Sequence, residues 1–153
     1  MLLYAETTPE LPELVRHYHA LGLESFRLWL LSSAAASEPD VATRVPRLSD
    51  VSTALVRAMD LGLSTREDFI VSLHTPPCTL PESHHRALFF APDLGLLVAN
   101  PGGHRFLLEE SPIEGGAYLP GCADCRWRPR CGGPRTDYLA LHGHGEFVPA
   151  TAP

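Results

Sequence analysis

The sequence has little that would suit a membrane, a polyanion or a disulfide framework. Its 153 residues contain no run of about 18 apolar residues, which argues against a membrane-spanning helix. Only 12 basic residues stand against 18 acidic ones, giving a net charge of −6, so we expect no nucleic acid and no anionic lipid held by a general basic field. The start of the chain lacks the features of a signal peptide. We therefore expect a soluble, cytoplasmic protein.

Cysteine is also scarce, with four in the whole chain. In an intracellular protein, four cysteines are more often metal ligands or free thiols than two disulfides. The chain is 44% hydrophobic and 20% charged, so it is able to bury a core. Its length suits one domain or a piece of a larger protein.

The pattern of the first half predicts alternating helices and strands. Apolar residues recur at helical spacing over 8–22 and over 49–62, and each stretch ends at a glycine. Short apolar runs at 25–31 and 68–73 predict buried strands, and the small, polar residues of 32–46 predict a loop. The two helix–strand units are forty residues apart, a spacing typical of a parallel α/β sheet.

Two such units do not complete a fold, because parallel strands need cover on both faces and neighbours on each side. Residues 1–5 add the end of one more strand, which gives three at most. We therefore predict that the chain is the trailing part of a larger α/β barrel, or that it needs a partner to complete its sheet.

The second half begins with a proline-stiffened loop at 74–81. Loops that follow the strands of a parallel sheet are the usual place for functional residues. Two runs at 94–99 and 104–109 flank a turn that contains Pro-Gly-Gly, and they predict a β-hairpin. A loop over 111–121 then leads to the other three cysteines, and a short helix is predicted around 138–141.

The cysteine spacing is the sharpest feature of the chain. Cys122 and Cys125 form a CxxC pair, which lets two thiolates converge on one metal centre from a tight turn, and Cys131 follows as a third ligand. Cys78, in the loop after the second predicted strand, is the obvious fourth. Four thiolates match either one [4Fe–4S] cluster or a Cys₄ zinc site.

Residue types alone leave iron–sulfur and zinc both open. Zinc also accepts histidine, so His142 or His144 could replace Cys78 in a zinc site. That alternative predicts a small zinc-binding structural or adaptor module without catalysis.

Several side chains are candidates for the surroundings of the metal. Arg126, Arg128 and Arg130 lie between the cysteines and would offset the negative charge of a thiolate-ligated centre. Trp127 would shield the centre from water, or simply fill the loop. His74 is the best candidate for a contact just outside the ligands.

Other polar residues have weaker claims. His84 and His85 are adjacent, and adjacent histidines rarely face one metal, so we expect them on a solvated surface, and likewise His104. Asp124 and Asp137 lack an evident partner for acid–base catalysis.

The cysteine-containing part resembles a known family. The pattern Pro120-Gly-Cys122-x-x-Cys125-x₅-Cys131-Gly, followed by Tyr138 and by Gly143-x-x-Glu146-x-x-Pro149, is similar to the C-terminal SPASM or twitch extension of radical SAM enzymes. The resemblance implies an α/β fold: the last strands and helices of a partial (β/α) barrel over 1–77, then a β-hairpin and a cluster-binding extension over 78–153. It also implies an auxiliary [4Fe–4S] cluster on Cys78, Cys122, Cys125 and Cys131.

The chain departs from that family in two ways. The full SPASM pattern has a further cysteine four positions after the third, where this chain has Arg135, which favours one auxiliary cluster over two. The CxxxCxxC motif that holds the radical-generating cluster is missing. The resemblance therefore implies a truncated sequence or a split subunit, which does not cleave S-adenosylmethionine by itself and joins an N-terminal radical SAM half. Nothing in the sequence selects a substrate.

Overall fold

The structure is a computed structural model that describes residues 1–32, 39–90, 95–99, 101–111 and 116–150. Its first half contains three short strands, β1 (Leu2–Leu3), β2 (Phe26–Leu30) and β3 (Ile70–Ser72). They form one parallel sheet in the order β1-β2-β3, with Leu2 beside Trp29 and Phe26 beside Ile70. The three strands predicted from the pattern are thus confirmed.

The predicted barrel is wrong. In the described part of the chain the three parallel strands form an open row and do not close into a barrel, and a separate two-stranded antiparallel sheet accompanies them. The pattern of helix–strand units predicts parallel neighbours correctly, but closure depends on the number and tilt of strands, which a local pattern does not contain. The fold is a small mixed α/β arrangement.

Two amphipathic helices cover one face of the parallel sheet. They are α1 (Leu11–Ala20), which continues a 3₁₀ turn at Thr8–Glu10, and α3 (Leu48–Met59). Each is followed by a glycine with positive φ, Gly22 at 93° and Gly62 at 63°, as predicted for helix ends. The core lies between helices and sheet and is formed by fully or nearly fully buried side chains, among them Leu11, Val15, Leu28, Val51 and Leu55.

Two predictions for the first half need correction. Strand β2 is buried on one face only: Phe26, Leu28 and Leu30 point into the core, whereas Arg27 is exposed. The helices cover just that one face. The stretch 32–46, predicted as a loop, contains a helix, α2 (Pro39–Arg44). Residues 33–38 of this stretch lie outside the described part of the chain.

The second half carries the predicted hairpin and the predicted final helix. Strands β4 (Leu97–Ala99) and β5 (Arg105–Leu107) pair antiparallel, while Leu94 and Asn100 of the predicted hairpin lie outside the described residues. Helix α4 (Thr136–His142) follows the cysteine loop.

Residues from both halves share one core. Tyr138 on α4 is 1% exposed, and Phe147 also packs into the core cluster formed by the first half. The division at residue 77 therefore stays a prediction about origin, since the folded chain joins the two parts by packing. None of the described helices has the length and apolar character needed to cross a bilayer.

Candidate metal centre

The loop that follows β3 holds Cys78 in a rigid setting. Cys78 lies in the 3₁₀ turn Pro77–Thr79, where proline fixes the backbone φ. The imidazole Nε2 of His85 donates to the carbonyl oxygens of Pro77 (3.1 Å) and Leu80 (2.9 Å), one on each side of Cys78. His85 is therefore a half-buried brace of this loop, whereas the sequence placed it on a solvated surface.

The other three cysteines lie on a single loop of consecutive turns. The loop opens with the 3₁₀ turn Pro120–Cys122, and the N–H of Cys125 then donates to the carbonyl of Cys122 at 3.3 Å. The N–H of Cys131 donates to the carbonyl of Trp127 at 2.8 Å. These short-range bonds curl the loop into turns, and all three of its cysteines line one cavity.

A close backbone crossing fixes the end of this loop. The N–H of Ala117 donates to the carbonyl of Pro134 at 2.9 Å, and Gly116 pairs with Arg135 in an antiparallel bridge. A Cβ at Gly133, whose φ is +86°, would lie 2.5 Å from the carbonyl oxygen of Ala117. The crossing therefore requires glycine, and it sets the position of the preceding Cys131.

All four cysteines line the same cavity. Its volume is about 340 Å³, including the part open to solvent, and none of the four thiols forms a disulfide. Within the described residues, no three His, Cys, Asp or Glu side chains are grouped as they would be around a single metal ion, so the cysteines border a shared space and do not converge on one point. The structure thus brings together Cys78, Cys122, Cys125 and Cys131 from two distant stretches of the chain.

The thiols influence one another electrostatically. Burial, and then the proximity of Cys131, Cys122 and Cys125, raise the pKa of Cys78 to about 12. Burial also raises the pKa of Cys131, although the N–H of Gly133 donates to its Sγ at 3.4 Å and partly opposes this effect. Without a metal, Cys78 and Cys131 are therefore protonated near neutral pH, and a metal bound by these two thiolates would have to displace those protons.

An aromatic stack forms part of the cavity wall. Trp127 lines the cavity and stacks on Phe90, with ring centroids 6.0 Å apart and an interplanar angle of 27°. The ring of His85 meets the indole edge-on at 5.1 Å. Trp127 therefore connects the two cysteine-bearing loops and gives the site a largely apolar wall.

The indole N–H of Trp127 is an unusual feature of this wall. Its Nε1 atom is buried and has no hydrogen-bond partner among the described residues. A buried N–H without an acceptor is costly, and bound groups commonly account for such cases in native proteins. Cluster sulfides and cysteine sulfurs accept hydrogen bonds, so this orphaned donor and the four thiols fit an iron–sulfur cluster.

Each of the three arginines of the loop contacts a neighbouring side chain, in addition to bringing positive charge to the site. The guanidinium of Arg126 lies 2.9 Å from the carboxylate of Glu82, which follows the Cys78 loop. Arg128 lines the cavity and lies over the ring of Tyr118 at 4.8 Å, while Arg130 lies over Phe90 at 4.8 Å.

The histidines of the zinc alternative lie elsewhere. His142 packs on the ring of Tyr138 at 4.7 Å, and its Nε2 is 3.3 Å from the carbonyl oxygen of Val45. His144 is exposed, and neither histidine lines the cysteine cavity. Cys78 occupies the fourth position around the cavity.

Sequence reasoning missed a buried ion pair beside the site. Arg135 pairs with Asp137, which the sequence left without a partner, and their side chains are 4% and 6% exposed. The guanidinium also donates to the carbonyl oxygens of Leu30 (3.0 Å) and Leu31 (3.1 Å) at the end of β2. The Arg-x-Asp spacing at the start of a helix was the available signal for the ion pair. The hydrogen bonds to β2 had no local signal, because they join residues about a hundred positions apart in the sequence.

The remaining candidates are distributed around the site. His74 lies near Arg135, with its Nδ1 at 3.4 Å from Nη1 of the guanidinium, and its ring meets Trp29 edge-on. His84 contacts Asp60 at 3.0 Å and is largely buried. His104 and Asp124 are exposed, and neither lines the cysteine cavity.

Comparison of the chain with protein-family models, with curated proteins and with solved structures finds no significant match.

Proposed function

We propose that this chain binds one [4Fe–4S] cluster through Cys78, Cys122, Cys125 and Cys131. The observation that carries the proposal is the single cavity lined by all four thiols, two of them in a CxxC turn and one from a loop far earlier in the sequence. The orphaned N–H of Trp127 and the arginines around the loop support a negatively charged, sulfur-rich occupant.

The four-thiol set favours a role in electron transfer or in structure. A [4Fe–4S] cluster supplies one-electron redox chemistry when it is bound. Four cysteine ligands would saturate its four irons, so substrate would have no open iron to bind. The aromatic wall of Trp127 and Phe90 would limit access of water to such a centre.

The resemblance to radical SAM extensions gives the proposed context. We propose that the chain serves as the auxiliary-cluster part of a radical SAM system. Its only four cysteines are those of the cavity, so the CxxxCxxC motif for cleavage of S-adenosylmethionine would come from an N-terminal half or a separate subunit. In this proposal the chain generates no radical by itself.

Metal analysis after anaerobic reconstitution tests the proposal. We expect about four irons and four sulfides per chain. One zinc per chain without sulfide would instead support the structural zinc module and would overturn the cluster assignment. Incubated with S-adenosylmethionine and a strong reductant, the loaded chain alone should form no 5′-deoxyadenosine.

Two matched variants sharpen this experiment. Cys78→Ala removes the ligand that the cavity provides, and we expect it to lose most of the bound iron. His142→Ala removes the residue that would complete a zinc site in its place, and we expect it to keep the full iron content. The reverse pattern would show that Cys78 is not a ligand.

A further inference from the structure

A second, larger cavity lies beside the cysteine cavity. Its volume is about 800 Å³, including the part open to solvent, and it begins where β3 ends, at Leu73. The two cavities are bordered in common by Pro76, Pro77, Cys131 and Gly133. Its lining includes the side chains of Leu73, Phe89, Phe90, Glu109 and Arg135.

Among the described residues that line this cavity, only Arg135 carries a guanidinium, and that group already has partners within the protein. Arg135 pairs with Asp137, its other donors serve the carbonyl oxygens of Leu30 and Leu31, and its Nη1 also lies 3.4 Å from Nδ1 of His74. Its charge and its hydrogen bonds are thus used within the fold. The guanidinium of Arg130 lies over the Phe90 ring, and Arg130 is not among the residues that line the cavity.

The carboxylate of Glu109, in contrast to the guanidinium of Arg135, has an oxygen without a hydrogen-bond partner among the described residues. Glu109 lies in the 3₁₀ turn Leu108–Glu110 that follows β5, and it lines the cavity. Its Oε2 atom is buried and has no hydrogen-bond partner among the described residues. A carboxylate oxygen out of water and without a donor is costly, and a cationic group in the cavity beside the Glu109 carboxylate would offset that cost through its charge.

We propose that this cavity binds an alkylammonium group, carried on an apolar chain, with Glu109 as its anion. An ammonium group has three donors and no acceptor, which matches a carboxylate that lacks donors. Leu73, Phe89 and Phe90 provide an apolar wall for the carbon chain behind it. The proposal rests on the cavity and on Glu109, and does not depend on which metal the cysteines bind.

Two amine probes and a neutral analogue test the proposal by isothermal titration of the full chain. Nα-acetyl-lysine methylamide represents a peptide side chain, and 1,5-diaminopentane represents a free amine. Nα-acetyl-norleucine methylamide has a similar chain without the ammonium. We expect one or both amines to bind at least about tenfold more tightly than the neutral analogue, and their ranking identifies the source of the amine.

Variants locate the binding. Glu109→Gln should weaken the amine about tenfold or more. Glu110→Gln, on the same turn but exposed and outside the cavity, should leave it unchanged. Gly132→Leu should weaken binding, because it adds a side chain at a residue that lines the cavity, and a Cβ there meets no atom within 4 Å.

Circular dichroism of each variant shows whether it is folded. Equal binding of the amines and of the neutral analogue would overturn the proposal. So would an unchanged affinity in folded Glu109→Gln, or the absence of saturable binding by either amine.

Discussion

The backbone N–H of Leu48 donates a 2.7 Å hydrogen bond to the phenolic oxygen of Tyr138, ninety residues later in the chain. Leu48 is the first residue of α3, where backbone N–H groups lack partners inside the helix. The Tyr138 hydroxyl in turn donates to Glu146, and the carboxylate of Glu146 accepts from the N–H of Ser49 at 3.0 Å. Two C-terminal residues thus cap a helix of the first half, and the negative charge of Glu146 suits the positive end of that helix.

Replacing Tyr138 by phenylalanine should weaken the link between the two halves. Tyr138→Phe keeps the ring in the core but leaves the N–H of Leu48 without its acceptor, so we expect the free energy of unfolding to fall by about 1–3 kcal/mol. Urea unfolding measures this change. Tyr18→Phe, at an exposed site on α1, is the control and should have little effect. Equal stability of the two variants would contradict this account of the cap.

The same pair predicts how stability changes with pH. Burial alone would raise the pKa of Glu146, but the hydrogen bonds from Tyr138 and Ser49 outweigh it and hold that pKa below its usual 4.5. The unfolded chain therefore takes up this proton first as the solution is acidified. The stability that Glu146 confers is fully present above its unfolded-state pKa and is lost as pH falls through the folded-state pKa.

Unfolding of the wild type and of Glu146→Gln between about pH 3 and pH 7 measures this contribution. We expect the variant to be less stable at neutral pH and to lose less stability on acidification. Parallel pH profiles for the two proteins in acid would refute the role of Glu146.

Burial and the bond to Glu146 raise the pKa of Tyr138 well above its usual 10. The contribution of Tyr138 to the free energy of unfolding is therefore lost only as pH rises beyond that value.

A pair of adjacent glycines predicts opposite responses to the same substitution. Gly133→Ala places a Cβ 2.5 Å from the carbonyl oxygen of Ala117 at a φ of +86°, so we expect a loss of about 1–3 kcal/mol in the free energy of unfolding. Gly132→Ala meets no atom within 4 Å and should be nearly neutral. Thermal unfolding of the two variants checks this difference, and a destabilised Gly132→Ala with a neutral Gly133→Ala would contradict it.

Trp127 should affect the reduction potential of the proposed cluster without being required for its binding. Trp127→Phe keeps an aromatic ring in the wall but removes the buried N–H, and a hydrogen bond to cluster sulfur stabilises the more negative, reduced form. We therefore expect a more negative reduction potential with unchanged iron content, measured by a redox titration followed by electron paramagnetic resonance. Trp29→Phe, on β2, serves as the control. An unchanged potential in Trp127→Phe would show that the indole N–H does not reach the cluster.

Local sequence signals predicted the helices and strands well. They did not predict which faces of the sheet are covered by other elements, or whether the sheet closes into a barrel. The glycines at 22 and 62 end helices because each adopts a positive φ, which is a property of the residue itself. The burial of β2 on one face depends on which elements pack against it, and the sequence of the strand does not contain that information. Helix α2 did have a local signal, Pro39 followed by Asp40 at its first turn, which is typical of a helix start.

For the candidate site, the sequence predicted Cys78, Cys122, Cys125 and Cys131 as ligands of one metal centre. The structure places all four around one cavity, and their binding of a metal stays a prediction. The sequence did not predict His85 bracing the Cys78 loop or Tyr138 capping α3. Both depend on contacts that form only once the chain is folded, and neither side chain stands in a recognisable motif for that role.

Arg135 also determines how many clusters the proposed site could hold. The full SPASM pattern has a cysteine at this position, but here the guanidinium of Arg135 donates to the carbonyl oxygens of Leu30 and Leu31 at the end of β2. Restoring a sulfur by Arg135→Cys would break a buried ion pair, at about 3–5 kcal/mol, before any second centre formed. If the chain binds a cluster as we propose, the buried Arg135–Asp137 pair therefore restricts it to one, in addition to the limit set by its four thiols.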